Sequence, residues 1–133
     1  MSPEEPAFSA FKSRSGLKRI AGAMRYSAHG LRSAWKHEHA FRQELCVIAP
    51  ATVVALRIPV TAVEKLLLVA TMVLVLVVEL LNSAIEAVVD RVSLERHPLS
   101  KNAKDFGSAA VMLAVLLSVV CWAVVLWGWL GHG

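Results

Sequence analysis

The sequence predicts an all-α integral membrane protein with three transmembrane helices and an N-terminal amphipathic surface helix. Three observations lead there. The 133-residue chain is 56% hydrophobic with a mean hydropathy of +0.58, too apolar for an ordinary soluble domain of this length. Phe106 to Leu130 carries no charge, and at about 1.5 Å per helical residue it spans a hydrocarbon core of about 30 Å with some tilt. Leu66 to Leu81 is almost unbroken apolar sequence, interrupted near its end by Glu79.

Each element has its own signal. Met1 to Ser15, with Pro3, Pro6 and several serines, reads as a flexible tail, and a single domain follows over residues 16–133. Over residues 16–36, Leu17, Ile20, Met24, Leu31 and Trp35 share one helical face, with Lys18, Arg25, Arg32 and Lys36 to one side. That is a basic amphipathic helix suited to the membrane interface, with a soluble packing helix as the alternative. Gly22 and Gly30 weaken it and favour a split in two. The first span covers about residues 40–58, placing Arg42, Gln43 and Glu44 at the interface and Arg57 at the far end, where its side chain must snorkel outward. Pro50 should kink it unless neighbours satisfy the freed carbonyl. After a short turn with Pro59, Thr61 and Glu64 form a T-x-x-E capping box that starts the second span, residues 62–92. At about 46 Å that helix outruns the hydrocarbon, so its last turns project into water. Ser93 to Ser100 is a polar loop with Pro98, and Ser100 is the expected N-cap of a third span over about residues 100–130. Its small residues Gly107 to Ala110 permit close helix approach.

Charge placement sets orientation and excludes one function. Eight of the 14 basic residues precede Leu45, and four more lie from Arg91 to Lys104. These segments fall on the cytoplasmic side under the positive-inside rule, which leaves the C-terminus external. Basic residues are not interleaved with aromatics, so nucleic acid is not an expected partner. Cys46 and Cys121 lie in apolar stretches and read as packed thiols. His37 and His39 point apart on a helix and read as interfacial histidines. Trp127 and Trp129 suit an aromatic belt. No secretory signal core occurs in the first forty residues, so the spans themselves should direct insertion.

Glu79, Asn82, Glu86 and Asp90 follow one another at helical steps and return to one face. Acids at this depth are costly and usually face a bundle interior, where they do chemistry or carry ions. Glu79 lies about 25 Å along its helix, close to the interface. Glu38, Glu44, Lys101, Lys104 and Asp105 flank the same end of the spans. Oxygen ligands suit Mg²⁺, which usually keeps substrate phosphates in its shell, and basic neighbours suit phosphate. Asp90 is the outermost acid. It is either a solvated helix end or an ion-pair partner, to Arg91 or to another subunit. No P-loop, G-x-G-x-x-G or H-R-D motif is present.

Glu79-Leu-Leu-Asn-Ser-Ala-Ile-Glu-Ala-Val-Val-Asp90 closely resembles the signature of the small prokaryotic integral-membrane diacylglycerol kinases (the diacylglycerol/undecaprenol kinase family). Ala40-Phe-Arg-Gln-Glu44 and Ala103-Lys-Asp-Phe-Gly-Ser-Ala-Ala110 are similar to its flanking motifs in order and spacing. The resemblance implies an ATP-dependent lipid kinase of the bacterial inner membrane. It implies a homotrimer whose active sites are shared between neighbouring subunits. Glu79 would be the general base and Asn82 its positioning partner, with Glu38 and Glu86 as Mg²⁺ ligands. ATP would contact Arg19, Tyr26, Glu38, Glu86, Glu95, Arg96, His97, Lys104 and Asp105. The lipid substrate would contact Arg19, Ala23, Arg32, Ser33, Ala34, Trp35, Ala40, Phe41, Arg42, Gln43, Glu44, Glu79, Ser108 and Trp122.

Three functions compete. The first is phosphorylation of the primary hydroxyl of diacylglycerol to give phosphatidic acid, by direct transfer without a phosphoenzyme. The second is the same chemistry on undecaprenol, since the acid stripe serves any primary alcohol. The third is a small oligomeric cation or proton channel subunit lined by the acids. The interfacial depth of Glu79 and the phosphate-suited lysines argue against that third reading.

Overall fold

The computed structural model describes residues 16–132. They form four helices: α1, Gly16–His37; α2, His39–Arg57; α3, Ala62–Val92; and α4, Pro98–Gly131. The tail expected over Met1 to Ser15 lies outside the described residues.

α1 runs through both glycines without a break. Each costs about 1 kcal/mol against alanine in a helix interior, but neither adopts positive φ, so the helical path continues. The interruption falls instead at Glu38, which is extended at φ −100°, ψ 108°. α2 contains Pro50 and continues past it. One turn of this region is reinforced by the Thr52 hydroxyl, which donates to Ile48 O at 2.8 Å.

The capping box forms as expected. Thr61 N donates to Glu64 Oε2 at 2.8 Å, and Glu64 N donates to Thr61 Oγ1 at 3.2 Å. Lys65 Nζ then reaches back across the turn to Leu56 O at 3.0 Å. α4 begins earlier than the sequence suggests. His97, not Ser100, is the N-cap, with Nδ1 accepting from Leu99 N at 3.1 Å and Pro98 in the first turn. Proline has no N–H to leave unpaired and its φ is already helical, so it starts α4 rather than ending a loop.

α3 packs along α4, α2 against α3, and α1 against α2. Near the α2–α3 turn, Ala55, Leu68 and Val125 form a buried cluster, with Val69, Cys121 and Trp122 packed on it. One turn further on, Thr71 Oγ1 donates to Leu68 O at 3.1 Å and can accept from the Ser118 hydroxyl, whose Oγ is 3.3 Å away, joining α3 to α4. Interhelical hydrogen bonds of this kind contribute about 0.6 kcal/mol. Ser118→Ala should therefore lower stability by about that amount in reversible unfolding from mixed micelles. An unchanged midpoint would mean that the pair does not hold.

α3 and α4 are each long and apolar enough to cross a membrane, with mean hydropathies of 2.4 and 2.8 over their most apolar windows. α2, at 19 residues, carries Arg42, Gln43 and Glu44 in its first turns and is less apolar. Large apolar side chains on α3 and α4, among them Leu66, Leu81, Leu113 and Val124, point away from the helix contacts. Outward apolar faces are those of a protein dissolved in lipid. Both cysteines are free.

Candidate active site

The acid stripe of α3 faces inward. Glu79 is only 5% exposed and Asn82 9%. Glu79 is thus not a lipid-facing acid, and its neighbours are other charges. It is repelled by Glu86 on its own helix and by Glu38 at the α1–α2 joint. Glu44 of α2 in turn feels the charge of Glu79. Carboxylates from α2, α3 and the joint therefore lie within electrostatic range of Glu79.

The other side is set by α4. Lys104 Nζ lies 2.6 Å from Asp90 Oδ1 and also feels the charge of Glu86. Asp90 is therefore paired within its own chain, with Lys104 rather than with Arg91 as the sequence suggests, and it remains half exposed. Both side chains are about half exposed (42% and 50%), so solvent screens the pair and it adds little stability. Its weight is positional, holding an ammonium at the edge of the acids.

Asn82 joins the two sides. Its Nδ2 donates to Glu86 Oε1 at 3.3 Å. Its Oδ1 is buried with no hydrogen-bond partner among the described residues. The amide lies directly against Gly107 of α4. A Cβ at position 107 would collide with Asn82 Oδ1 and come within 3.2 Å of its Cγ. Gly107 thus permits the close approach of α3 and α4 where the stripe needs a neighbour.

Two hollows open from this cluster. Between α3 and α4, a cleft of about 920 Å³ is lined by Asp90, Lys101, Lys104, Asp105 and the loop from Ser93 to His97. It gathers Glu95, Arg96, His97, Lys104 and Asp105, five residues singled out for the nucleotide. The loop is locally ordered, with Glu95 N donating to Ser93 Oγ at 3.0 Å. Lys101 and Asp105 form an exposed ion pair at 2.5 Å. The second hollow is an apolar groove of about 430 Å³ among α2, α3 and α4, lined by Gln43, Glu44, Val47, Ile48, Ala51, Met72, Val75, Val115, Ser118 and Trp122. Glu44 stands in its wall, and Glu44 Oε2 is buried without a partner among the described residues.

Other sequence-selected residues lie on α1, at the α1–α2 joint or on the exposed side of α4. Arg19 and Tyr26 precede Glu38 by about 28 Å and 18 Å of helix. Ala23, Arg32, Ser33, Trp35, Ala40 and Ser108 are exposed, whereas Ala34 and Phe41 are buried near the joint. Arg42, assigned to lipid from the sequence, donates through Nη1 to Trp35 O at 2.9 Å and Lys36 O at 3.0 Å. Two roles escaped the sequence. Gly107 was legible only as a small residue, and Arg42 only as an interfacial charge.

Among the described residues, no three His, Cys, Asp or Glu side chains converge as a complete metal cage. Glu38 and Glu86 offer two hard carboxylate donors bearing on one buried acid. That set fits Mg²⁺, which binds through one or two carboxylates and completes its shell with water and substrate phosphate.

Comparison with known proteins places the chain among relatives. The family profile described as prokaryotic diacylglycerol kinase matches residues 25–126. The chain is 52% identical over 120 residues to the diacylglycerol kinase of Pseudomonas aeruginosa, covering 90% of this chain and 98% of that one. It is 49% identical over 116 residues to the diacylglycerol kinase of Escherichia coli K12, covering 87% and 95% respectively. The diacylglycerol kinase of Haemophilus influenzae is 42% identical over 114 residues, with 84% and 94% covered.

Proposed function

The chain belongs to the prokaryotic diacylglycerol kinase family, and on that premise we infer that it transfers the γ-phosphoryl group of ATP to diacylglycerol at the membrane surface. The observation that carries the chemistry is the buried Glu79 carboxylate, which on α3 falls in sequence between Met72 and Val75 of the apolar groove and Asp90 of the cleft with basic residues. A greasy alcohol and a polar phosphate donor can meet there.

Phosphoryl transfer asks a protein chiefly for alignment and charge neutralisation. In our reading, acyl chain enters the groove and the glycerol end stops near Glu44 and Glu79. Glu79 accepts the proton of the primary hydroxyl, whose oxygen bonds to the γ-phosphorus as the bond to the β,γ-bridging oxygen breaks. The products are phosphatidic acid and ADP. Lys104 neutralises phosphate oxygens in the cleft, and Asn82 orients Glu86. Glu38 and Glu86 would hold Mg²⁺, which when bound supplies charge neutralisation at the phosphates. Arg19 and Tyr26 lie about 28 Å and 18 Å of helix before Glu38, and we assign them to a neighbouring copy within a homotrimer. α2 completes three spans in the bacterial inner membrane, with the N-terminus cytoplasmic and the C-terminus external. The family assignment does not favour the channel reading.

The decisive assay reconstitutes the chain in nanodiscs with radiolabelled ATP and Mg²⁺, offering diacylglycerol and undecaprenol side by side. Label should enter diacylglycerol at the higher kcat/KM. Preferential labelling of undecaprenol would move the chain to the other substrate class. Lys104→Gln should raise the KM for ATP about tenfold, through loss of one charge-assisted phosphate contact at a solvent-exposed ammonium. An unchanged KM and kcat would remove Lys104 from the nucleotide site.

A further inference from the structure

We propose that Arg42 is a positioning residue: it holds the break between α1 and α2 and thereby aims Glu38 at the acid stripe. The inference rests on the reading of Glu38 as part of the phosphoryl-transfer site. Nothing local demands a break there. Ala34 to Leu45 contains neither glycine nor proline, and one continuous helix would suit its residues. Glu38 is nevertheless extended between two helices.

The reason lies in the carbonyls at the end of α1. The last four of any helix lack intrahelical partners. Here Glu38 N donates to Ala34 O at 2.9 Å. The next two, Trp35 O and Lys36 O, would bond the N–H groups of His39 and Ala40 if the helix ran on. Instead Arg42 Nη1 takes both, at 2.9 and 3.0 Å. The guanidinium thus replaces two helix-propagating bonds and sets a positive charge at the negative end of α1. Arg42 is also tied to the far side of the joint, since its own N–H donates to Glu38 O at 3.2 Å. Ala34 and Phe41 are buried at this corner, 5% and 3% exposed. The corner presents Glu38 to Glu79, whose carboxylate it repels. Without the guanidinium, the carbonyls would recover their backbone partners and the helices straighten, or the joint would loosen. Either change carries Glu38 away from the stripe.

The test uses the full chain in nanodiscs as wild type, Arg42→Gln and Arg42→Lys. Spin labels at positions 24 and 53, with Cys46 and Cys121 replaced by alanine and labelled chain diluted into unlabelled chain, report the angle of the joint. Wild type should give one narrow distance distribution. Arg42→Gln should broaden it or move it toward the roughly 43 Å of a straight helix. Arg42→Lys, which keeps the charge but not the fork, should lie between and carries the test should the glutamine variant fail to insert. In parallel, Arg42→Gln should raise the Mg²⁺ concentration needed for half-maximal turnover about tenfold, with the KM for diacylglycerol within about twofold of wild type. An unchanged distance distribution overturns the proposal, and so does an altered one with an unchanged Mg²⁺ requirement. A raised KM for diacylglycerol at an unchanged Mg²⁺ requirement assigns Arg42 to lipid instead. Failure of the kinase reading would show separately, as absence of phosphate transfer by wild type, while the distance measurement still reports the joint.

Discussion

Glu79→Gln should lower kcat by about 10²–10⁴-fold, the usual worth of a positioned general base, while leaving the KM for ATP and the assembled state close to wild type. Glutamine keeps the shape of the side chain but puts an N–H donor in place of one carboxylate oxygen and accepts no proton. Stability should hold or rise, because the substitution removes a buried charge repelled by Glu86 and Glu38. Steady-state kinetics in nanodiscs and size analysis of the same sample read both effects. Wild-type turnover in a folded Glu79→Gln protein would leave the reaction without its assigned base.

Gly107→Ala should reverse the ordinary sign of a glycine-to-alanine change. In a helix interior that change normally stabilises by about 1 kcal/mol. Here the new methyl would strike the Asn82 carboxamide, and overpacking costs about 1–3 kcal/mol. The helices must part or Asn82 must leave Glu86, so activity should fall along with the unfolding midpoint. Adding Asn82→Ala removes the obstructing amide, and only its Cβ remains, 3.7 Å from the new methyl. The double variant should regain stability without regaining activity. A single variant more stable than wild type would show that the contact is not tight.

What the sequence made legible follows from range. The stripe was readable because Glu79, Asn82, Glu86 and Asp90 lie on one helix, where spacing alone fixes the shared face. The start of α3 was readable because Thr61 and Glu64 cap locally. The start of α4 was misplaced by three residues because Pro98 was taken for loop, although proline is also a favoured helix opener. The break at Glu38 had no composition signal at all, since it depends on Arg42 reaching back six and seven residues. The Asn82–Gly107 contact and the apolar groove need two and three helices in register, which no single-helix periodicity contains.

The α2–α3 turn has a consequence for biogenesis. Its polar contacts join residues three and nine apart, Thr61 with Glu64 and Leu56 with Lys65. Contacts so close in sequence cost little loop entropy and form early. The two helices can therefore form early as one hairpin, with α4 docking afterwards against a surface already built. The charged machinery, assembled from segments far apart in the chain, would be the last part of the molecule to mature.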